Sequence, residues 1–241
     1  MTLPFFLTPG PFVVGSSVTL SGDEARHGVV RRIRAGEPVV LTDGAGATAR
    51  CTVATSDRDR LVAVVETVRT EPAPTPQVSV VQAIPKGARA ELAVQMLTEV
   101  GVDTIVPWPA TRCVAVWHGD RAERSLARWR ATAREAAKQS RRCWLPEVTP
   151  PATTSDVAQL LTAADLGVVL HEQASHPLGE LPVSGAGSVV VVVGPEGGIT
   201  EEELAAFVDA HVVRLGPTVL RTSTAGVAAV AALLSRTGRW A

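Results

Sequence analysis

The stretch Ser188-Val-Val-Val-Val-Val193-Gly-Pro-Glu-Gly-Gly198-Ile-Thr-Glu-Glu-Glu203 decides the fold. Five consecutive valines do not alternate apolar with polar, so a strand here is buried on both faces, as in a parallel sheet covered by helices. Gly194 and Pro195 end it, and Thr200 with Glu203 three residues later is the capping-box signature of a helix start. Strand, glycine-rich turn and helix in that order form the building unit of an α/β domain. Residues 166–170 and 212–215 share the unalternating apolar composition, and residues 78–83 and 105–107 add further strands. Helical spacing marks residues 89–100, stopped by Gly101, and then 121–142, 155–164, 201–210 and 225–235.

Working upstream, Glu71-Pro-Ala-Pro-Thr-Pro76 denies the backbone helical hydrogen bonds and reads as an extended linker. Before it, residues 12–20, 38–43, 49–55 and 61–68 are short β-branched runs between Gly, Asp and Arg clusters, the pattern of a small all-β barrel. Residues 23–34 are the one helical stretch there, with Ala25, Val29, Val30 and Ile33 on one face and Arg26, Arg31, Arg32 and Arg34 around them. The expectation is therefore a β-barrel domain over 1–71 and an α/β domain with a parallel sheet over 77–241.

The chain has 241 residues, with 23 basic against 24 acidic side chains, a balance that argues against a polyanion partner only if it is uniform. It is not. Residues 112–142 hold nine basic and three acidic groups, whereas residues 143–241 hold four and ten. Within the basic segment, Glu123-Arg-Ser-Leu-Ala-Arg-Trp-Arg-Ala-Thr-Ala-Arg-Glu-Ala-Ala-Lys-Gln-Ser-Arg-Arg142 places Arg130, Arg134, Lys138 and Arg141 within an arc of about 80° on a helix, beside an apolar stripe of Leu126, Trp129, Ala133 and Ala137. Solvated helix faces normally mix signs, so a ridge of one sign favours polyanion binding over a plain surface.

Cys51, Cys113 and Cys143 are odd in number and far apart, which provides neither a disulfide framework nor a CxxC motif. The start, MTLPFFLTPGP, lacks a basic leader and is broken by prolines. No apolar run is long enough to span a bilayer. A cytoplasmic protein without a membrane segment is expected. The five histidines show no HxxxH or HExxH pairing, and no metal site is expected.

Two glycine-containing turns can carry chemistry. In Gly194-Pro-Glu-Gly-Gly198 the glycines let a ligand approach the backbone near a helix start, although a tight turn explains the same residues. The spacing matches neither GxxxxGK[ST] nor GxGxxG. In Leu215-Gly-Pro-Thr-Val-Leu-Arg-Thr-Ser-Thr-Ala225, three hydroxyls surround Arg221 and suit an anion or a polarised carbonyl, while a helix capped by Ser223 or Thr224 would account for the hydroxyls alone. The helix that follows is nearly all Ala, Val and Leu, so it must be buried on all sides and its first turn must face a cleft or a partner.

Taken together these stretches resemble the bacterial 16S ribosomal RNA uridine-N3 methyltransferase family of the SPOUT superfamily. The matching residues are Lys86-Gly-x-Arg89, Gln95-x-x-Thr-Glu-x-Gly-Val102, Glu123-Arg-Ser-x-x-Arg-Trp129, Glu135-Ala-Ala-Lys-Gln-Ser140, Val193-Gly-Pro-Glu-Gly-Gly198 and Leu215-Gly-x-x-x-Leu-Arg-Thr-x-Thr-Ala225. His27, Arg31 and Gly36 resemble the family's N-terminal RNA-binding barrel. One departure is Ser223, where the family usually has Glu. The resemblance implies a C-terminal SPOUT-type trefoil-knotted parallel sheet behind a PUA-like barrel, and a homodimer whose active site uses both subunits. It also implies S-adenosylmethionine held by loops after Leu170, Val193 and Leu215, and 16S ribosomal RNA or the small ribosomal subunit as substrate.

The cofactor residues so implied are Leu170, His171, Glu172, Gly194, Pro195, Glu196, Gly197, Gly198, Ile199, Leu215, Gly216, Leu220, Thr222 and Ala225. Arg221 would stabilise charge in the reaction, and Glu196 is the candidate proton acceptor. RNA would meet Arg26, Arg31, Arg32, Arg34, Lys86, Arg89, Arg130, Arg134, Lys138 and Arg141. A SPOUT enzyme acting on another ribosomal or transfer RNA nucleotide, and a noncatalytic RNA-binding protein, are the competing readings. A nucleotide-binding metabolic enzyme would leave the basic segment without a purpose.

Overall fold

The computed structural model describes residues 3–240, which separate into two compact units. The first comprises Met1–Ala73 together with Ala137–Leu145, and the second Pro74–Ala136 together with Pro146–Ala241. The first break falls inside the proline segment read as a linker; residues 137–145, read as part of the second domain, cluster with the first unit.

In the first unit, β1 (Phe5–Leu7), β2 (Ser17–Ser21), α1 (Gly22–Val30), β3 (Pro38–Thr42), β4 (Ala47–Ser56) and β5 (Arg60–Thr70) form a five-stranded sheet in the order β1-β3-β4-β5-β2, antiparallel except for the β1–β3 pair. Alternation dictates its core: Ala49, Cys51 and Val53 of β4 and Leu61, Ala63 and Val65 of β5 point inward with Phe6, Leu20, Val39 and Leu41. Register shifts in β4 at Arg50/Cys51 and Val53/Thr55 bend the strand around that core.

Two expectations are corrected there. The 12–20 strand shrinks to β2 because Val13 and Val14 lie exposed in a turn closed by Ser16 N–H donating to Val13 O (3.0 Å). The 23–34 helix stops at Val30, since Arg32 adopts a left-handed φ of 56° and Ile33 N–H folds back to Gly28 O (3.1 Å), burying Ile33. Arg31, Arg32 and Arg34 therefore stand exposed on a turn.

The 137–145 segment is stitched into this unit by Leu145 N–H to Gly44 O (2.9 Å), Gly46 N–H to Cys143 O (3.0 Å) and Trp144 Nε1–H to Glu71 O (3.1 Å). Gly46, at φ 99°, has no room for a side chain: a Cβ would lie 2.6 Å from both Glu71 O and the Trp144 ring. Lys138, 6% exposed, donates to Glu24 Oε1 at 2.9 Å, and Leu7 N–H donates to the other oxygen of Glu24 (3.3 Å).

In the second unit, β6 (Gln77–Ala83), α2 (Arg89–Val100), β7 (Thr104–Trp108), α3 (Gly119–Gln139), β8 (Glu147–Val148), α4 (Thr154–Ala163), β9 (Leu166–Leu170), β10 (His176–Pro177), β11 (Ser188–Val193), α5 (Glu201–Ala206), β12 (His211–Arg214) and α6 (Thr222–Leu234) follow in sequence. The last three residues of α3 belong to the first unit. The sheet has seven strands in the order β10-β12-β9-β11-β6-β7-β8, with every pairing parallel. The valine run explains itself: Val189, Val191 and Val193 pack with residues of α2, α3 and α6, while Val190 and Val192 face Val157 and Leu161 of α4 and Phe207. Both faces are covered, so both side-chain registers must be apolar.

The remaining differences have local causes. β1, β8 and β10 have three residues or fewer, too short for periodicity to reveal. α5 ends four residues early, where Phe207 leaves helical geometry to bury its ring against Trp108. α6 starts three residues early, at Thr222, without a side-chain cap from Ser223 or Thr224. It has no exposed position between Thr222 and Leu234. α3 ends at Gln139 because Arg141 takes a left-handed φ of 59°, which removes Arg141 from the helical arc.

Removing one partner of a buried ion pair strands the other charge in a low dielectric, so Lys138→Ala is expected to lower the stability of the first unit by about 3 kcal/mol. Thermal and urea unfolding of the full chain measures this, with Arg124→Ala, an exposed change on α3, as the control expected to stay near wild type.

Candidate functional site

Parallel pairing sets the site. Val193, at the end of β11, pairs with Leu170 at the end of β9, and Leu170 pairs in turn with Val213 of β12. Three strands thus finish level and side by side, and the loops that follow leave the same edge of the sheet, where ligands of open α/β sheets bind. These loops wall a cavity of about 720 Å³.

Its lining includes Leu170, His171 and Glu172 from the first loop and Gly194, Pro195, Glu196, Gly197, Gly198 and Ile199 from the second. Leu215, Gly216, Leu220, Arg221, Thr222 and Ala225 come from the third. Every residue that the family resemblance assigns to the cofactor therefore borders one space. Of the residues read as RNA-binding, Arg89 also borders it. Arg31, Arg32, Arg34, Lys86, Arg130, Arg134 and Arg141 are exposed elsewhere, and Arg26 is exposed and paired with Asp23. Lys138 is the exception. The ridge expects it in solvent beside Arg134, but the structure buries it against Glu24, because α3 turns its last residues into the first unit's core.

The second loop is held from two directions. Gly198 N–H closes the turn on Pro195 O (2.9 Å), with Gly198 at φ 77°. Glu203 is 3% exposed, yet its carboxylate is fully engaged: one oxygen accepts Thr200 N–H (2.9 Å) and the other accepts Thr111 N–H (2.7 Å). The capping box thus does more than start α5; it ties the 109–112 loop to the glycine turn. Arg112 completes the strap by donating Nη1 to Gly197 O at 3.2 Å. A Cβ on Gly197 would come within 2.9 Å of Arg112 Cβ, and one on Gly194 within 2.7 Å of Ile199 Cγ1.

The third loop presents Arg221. Its carbonyl accepts Thr224 N–H (2.8 Å), Ala225 N–H (2.9 Å) and the Thr224 hydroxyl (3.1 Å), which locks the backbone at the start of α6. Among the described residues no hydrogen bond or ion pair occupies its exposed guanidinium. Gln82, fully buried at the end of β6, donates Nε2 to Thr222 O (3.3 Å) and anchors that helix start to the sheet.

The wall is electrically mixed, with Arg89, Arg112, Arg214 and Arg221 against Glu172, Glu196 and Glu201, interleaved with Leu170, Leu215, Leu220 and Ile199. Such a surface suits a ligand with both charges and an apolar body. Arg112, Arg214 and Glu201 were missed in the sequence reading. Arg112 counts there only as one cation of the basic segment, and no spacing ties it to Gly197, 85 residues away.

Burial pushes the Cys51 and Cys143 thiols up to about 11 and raises that of Cys113, so none offers a thiolate near neutral pH. Among the described residues no group of three His, Cys, Asp or Glu side chains could hold a metal ion. No helix there is long and apolar enough to cross a membrane.

The class of a chain that carries both a three-loop cavity at the edge of a parallel sheet and a small β unit is given by its family matches, which make it an RNA methyltransferase. Residues 71–234 match the RNA methyltransferase domain family and residues 20–66 the RNA methyltransferase PUA domain family. The chain is 46% identical to ribosomal RNA small subunit methyltransferase E of Mycobacterium bovis, over 94% of its own length and 89% of that protein's. It is 30% identical to the Bacillus subtilis protein of the same name, over 91% and 90%. The crystal structure of ribosomal RNA small subunit methyltransferase E from Neisseria gonorrhoeae bound to S-adenosyl methionine matches it with a TM-score of 0.90 at 30% identity, covering 98% of each chain. The chain belongs to the ribosomal RNA small subunit methyltransferase E family.

Replacing Glu203 with Ala removes a charged acceptor from the amide of buried Thr200 and from that of exposed Thr111, with an expected stability loss of about 2 kcal/mol. Amide hydrogen exchange is expected to show selective loss of protection at Thr111, and equal protection in variant and wild type would deny the strap.

Proposed function

We propose that this protein methylates N3 of a uridine in 16S ribosomal RNA, with S-adenosylmethionine as the methyl donor. The observation that carries the reading is the level ending of β9, β11 and β12, which brings the three motif loops onto one cavity. The residues present fit the donor. Gly194 and Gly197 leave space that a Cβ would fill, the leucines and Ile199 offer an apolar wall, and the carboxylates and arginines suit the amino and carboxylate ends of a methionyl group. When bound, the cofactor supplies an electrophilic methyl group on a sulfonium.

The chain's own residues supply the rest. Uracil N3 holds its proton at neutral pH, so transfer demands that this proton leave and that negative charge spread onto O2 and O4. We assign Arg221 to that charge, supported by a backbone locked at the start of α6 and by a guanidinium that no hydrogen bond or ion pair occupies among the described residues. α6 adds its uncapped N-terminal amides at the same end. Glu196, exposed on the glycine turn and touched by Lys86 N–H at 3.4 Å, is the acceptor we assign to the proton. Ser223, where the family has Glu, is 3% exposed and has no acid–base role.

The first unit and the exposed arginines of α3 are assigned to RNA, with Lys138 withdrawn from that set. We also infer a cytoplasmic location, which the proposed ribosomal RNA substrate supports. We also infer the trefoil knot and the homodimer of the SPOUT superfamily. Supporting the knot, β12 lies beyond β9 and the chain then returns as α6 across β11 and β6. Supporting the dimer, α6 is apolar on every side yet only half-buried at Val227, Ala228, Ala231 and Ala232.

Mass spectrometry of 16S ribosomal RNA from a strain lacking the gene tests the reading. The N3-methyluridine is expected to vanish and to return with the restored gene; a lesion elsewhere would redirect the assignment to another nucleotide. Arg221→Ala is expected to lower kcat about 100-fold while calorimetric affinity for S-adenosylmethionine stays within about twofold. Gly197→Val is expected to weaken that affinity at least about tenfold, by forcing a side chain into the Arg112 strap. Arg130→Ala combined with Arg134→Ala is expected to reduce the salt slope of RNA binding by about 2.

A further inference from the structure

A second cavity, of about 330 Å³, lies in the same unit between the turn before α2, the 115–117 loop and the first half of α3. Its volume falls within the range of about 300–1,000 Å³ typical of small-molecule sites. None of the motifs assigned to the cofactor borders it.

Its chemistry is distinctive. Trp117, half-buried, lies edge to face with the buried Trp129, with ring centroids 5.1 Å apart at 80°, and both line the cavity. Val116, 49% exposed, extends the apolar wall toward solvent. Arg121 and Arg128 supply two cations against one carboxylate, Glu91, which Arg128 engages at 3.2 Å. At the remaining side Gly87, Ala88 and Ala90 surround the start of α2, where Ala90 N–H turns back to Gly87 O (3.1 Å) and no side chain caps the other first-turn amides. An indole surface, a surplus cation and uncapped amides around one space suit a planar base attached to a phosphate.

Position supplies the second argument. The turn from Pro85 to Glu91 is a wall common to both cavities: Arg89 borders the first, whereas Pro85, Gly87, Ala88, Ala90 and Glu91 border the second. The two cavities therefore lie on either side of one short turn.

We propose that this cavity receives an unstacked nucleotide next to the one being methylated, its base against Trp117 and its phosphate toward Arg121 and the start of α2. The site would select flipped, single-stranded RNA and hold the target nucleotide in register, a duty separate from methyl transfer. This rests on RNA being the substrate.

The test uses the full-length enzyme saturated with S-adenosylmethionine, and 16S ribosomal RNA or small subunits from a strain lacking the gene. Trp117→Leu keeps apolar bulk without a π surface and is expected to raise KM for RNA about tenfold, with kcat and cofactor affinity near wild type. Trp117→Phe should restore most of the affinity. Arg121→Glu, at an exposed helical position that leaves packing intact, is expected to raise the same KM and flatten its salt dependence. An RNA carrying 2-aminopurine beside the target uridine should show quenching on binding to wild type and to Trp117→Phe, but not to Trp117→Leu. Unchanged KM in both Trp117→Leu and Arg121→Glu, with quenching intact, would overturn the proposal. Should Trp117→Leu also lose cofactor affinity, the fold has been damaged, and Arg121→Glu with the quenching signal decides. Absence of any RNA methylation by wild type would instead reject the function proposed above.

Discussion

The parallel hydrogen bonding that keeps Val193, Leu170 and Val213 level is the constraint on which the site depends. A slip of one residue in β11 would exchange its two valine faces and move the glycine turn relative to its neighbours. Neither face of β11 is polar, so side-chain polarity alone does not prevent such a slip. The register is held instead by six paired positions with β6 and five with β9, and by the different partners on each face: α2, α3 and α6 on one, α4 and Phe207 on the other. The glycine-rich loops rise from strands whose register is fixed by these pairings.

From that edge the structure spends buried polar groups on position. Glu203 joins the 109–112 loop to the glycine turn, and Gln82 joins the start of α6 to β6. Each is a buried side chain satisfying backbone groups from distant segments, a costly arrangement unless geometry matters. Both Arg112 and Arg221 line the cavity, but Arg112 donates to Gly197 O, whereas among the described residues no hydrogen bond or ion pair occupies the Arg221 guanidinium. That difference is the reason we propose Arg221, and not Arg112, for the reacting atoms.

Charge is partitioned along the same lines. The basic segment of residues 112–142 looks like one ridge in sequence, but its members have different fates. Arg112 turns into the cavity, Arg128 pairs with Glu91, Arg130 donates to Val148 O at 3.0 Å while remaining exposed, and Lys138 is buried with Glu24. A helical wheel measures angle but not what packs against each angle, so it could not separate a phosphate contact from a core ion pair.

The sequence by itself determined the α/β class, the proline break after residue 71 and the loops around Leu170, Gly194 and Leu215. Unalternating valines, capping residues and glycine stops act locally, and their consequences are therefore legible locally. The order of the strands was not legible, nor the very short β1, β8 and β10, because a parallel neighbour is chosen by packing over long separations. Only the tertiary structure decided that residues 137–145 join the first unit, that Lys138 is buried, and that Arg112 braces a turn 85 residues away. Those facts arise from which surfaces meet, and no spacing within a single segment encodes that.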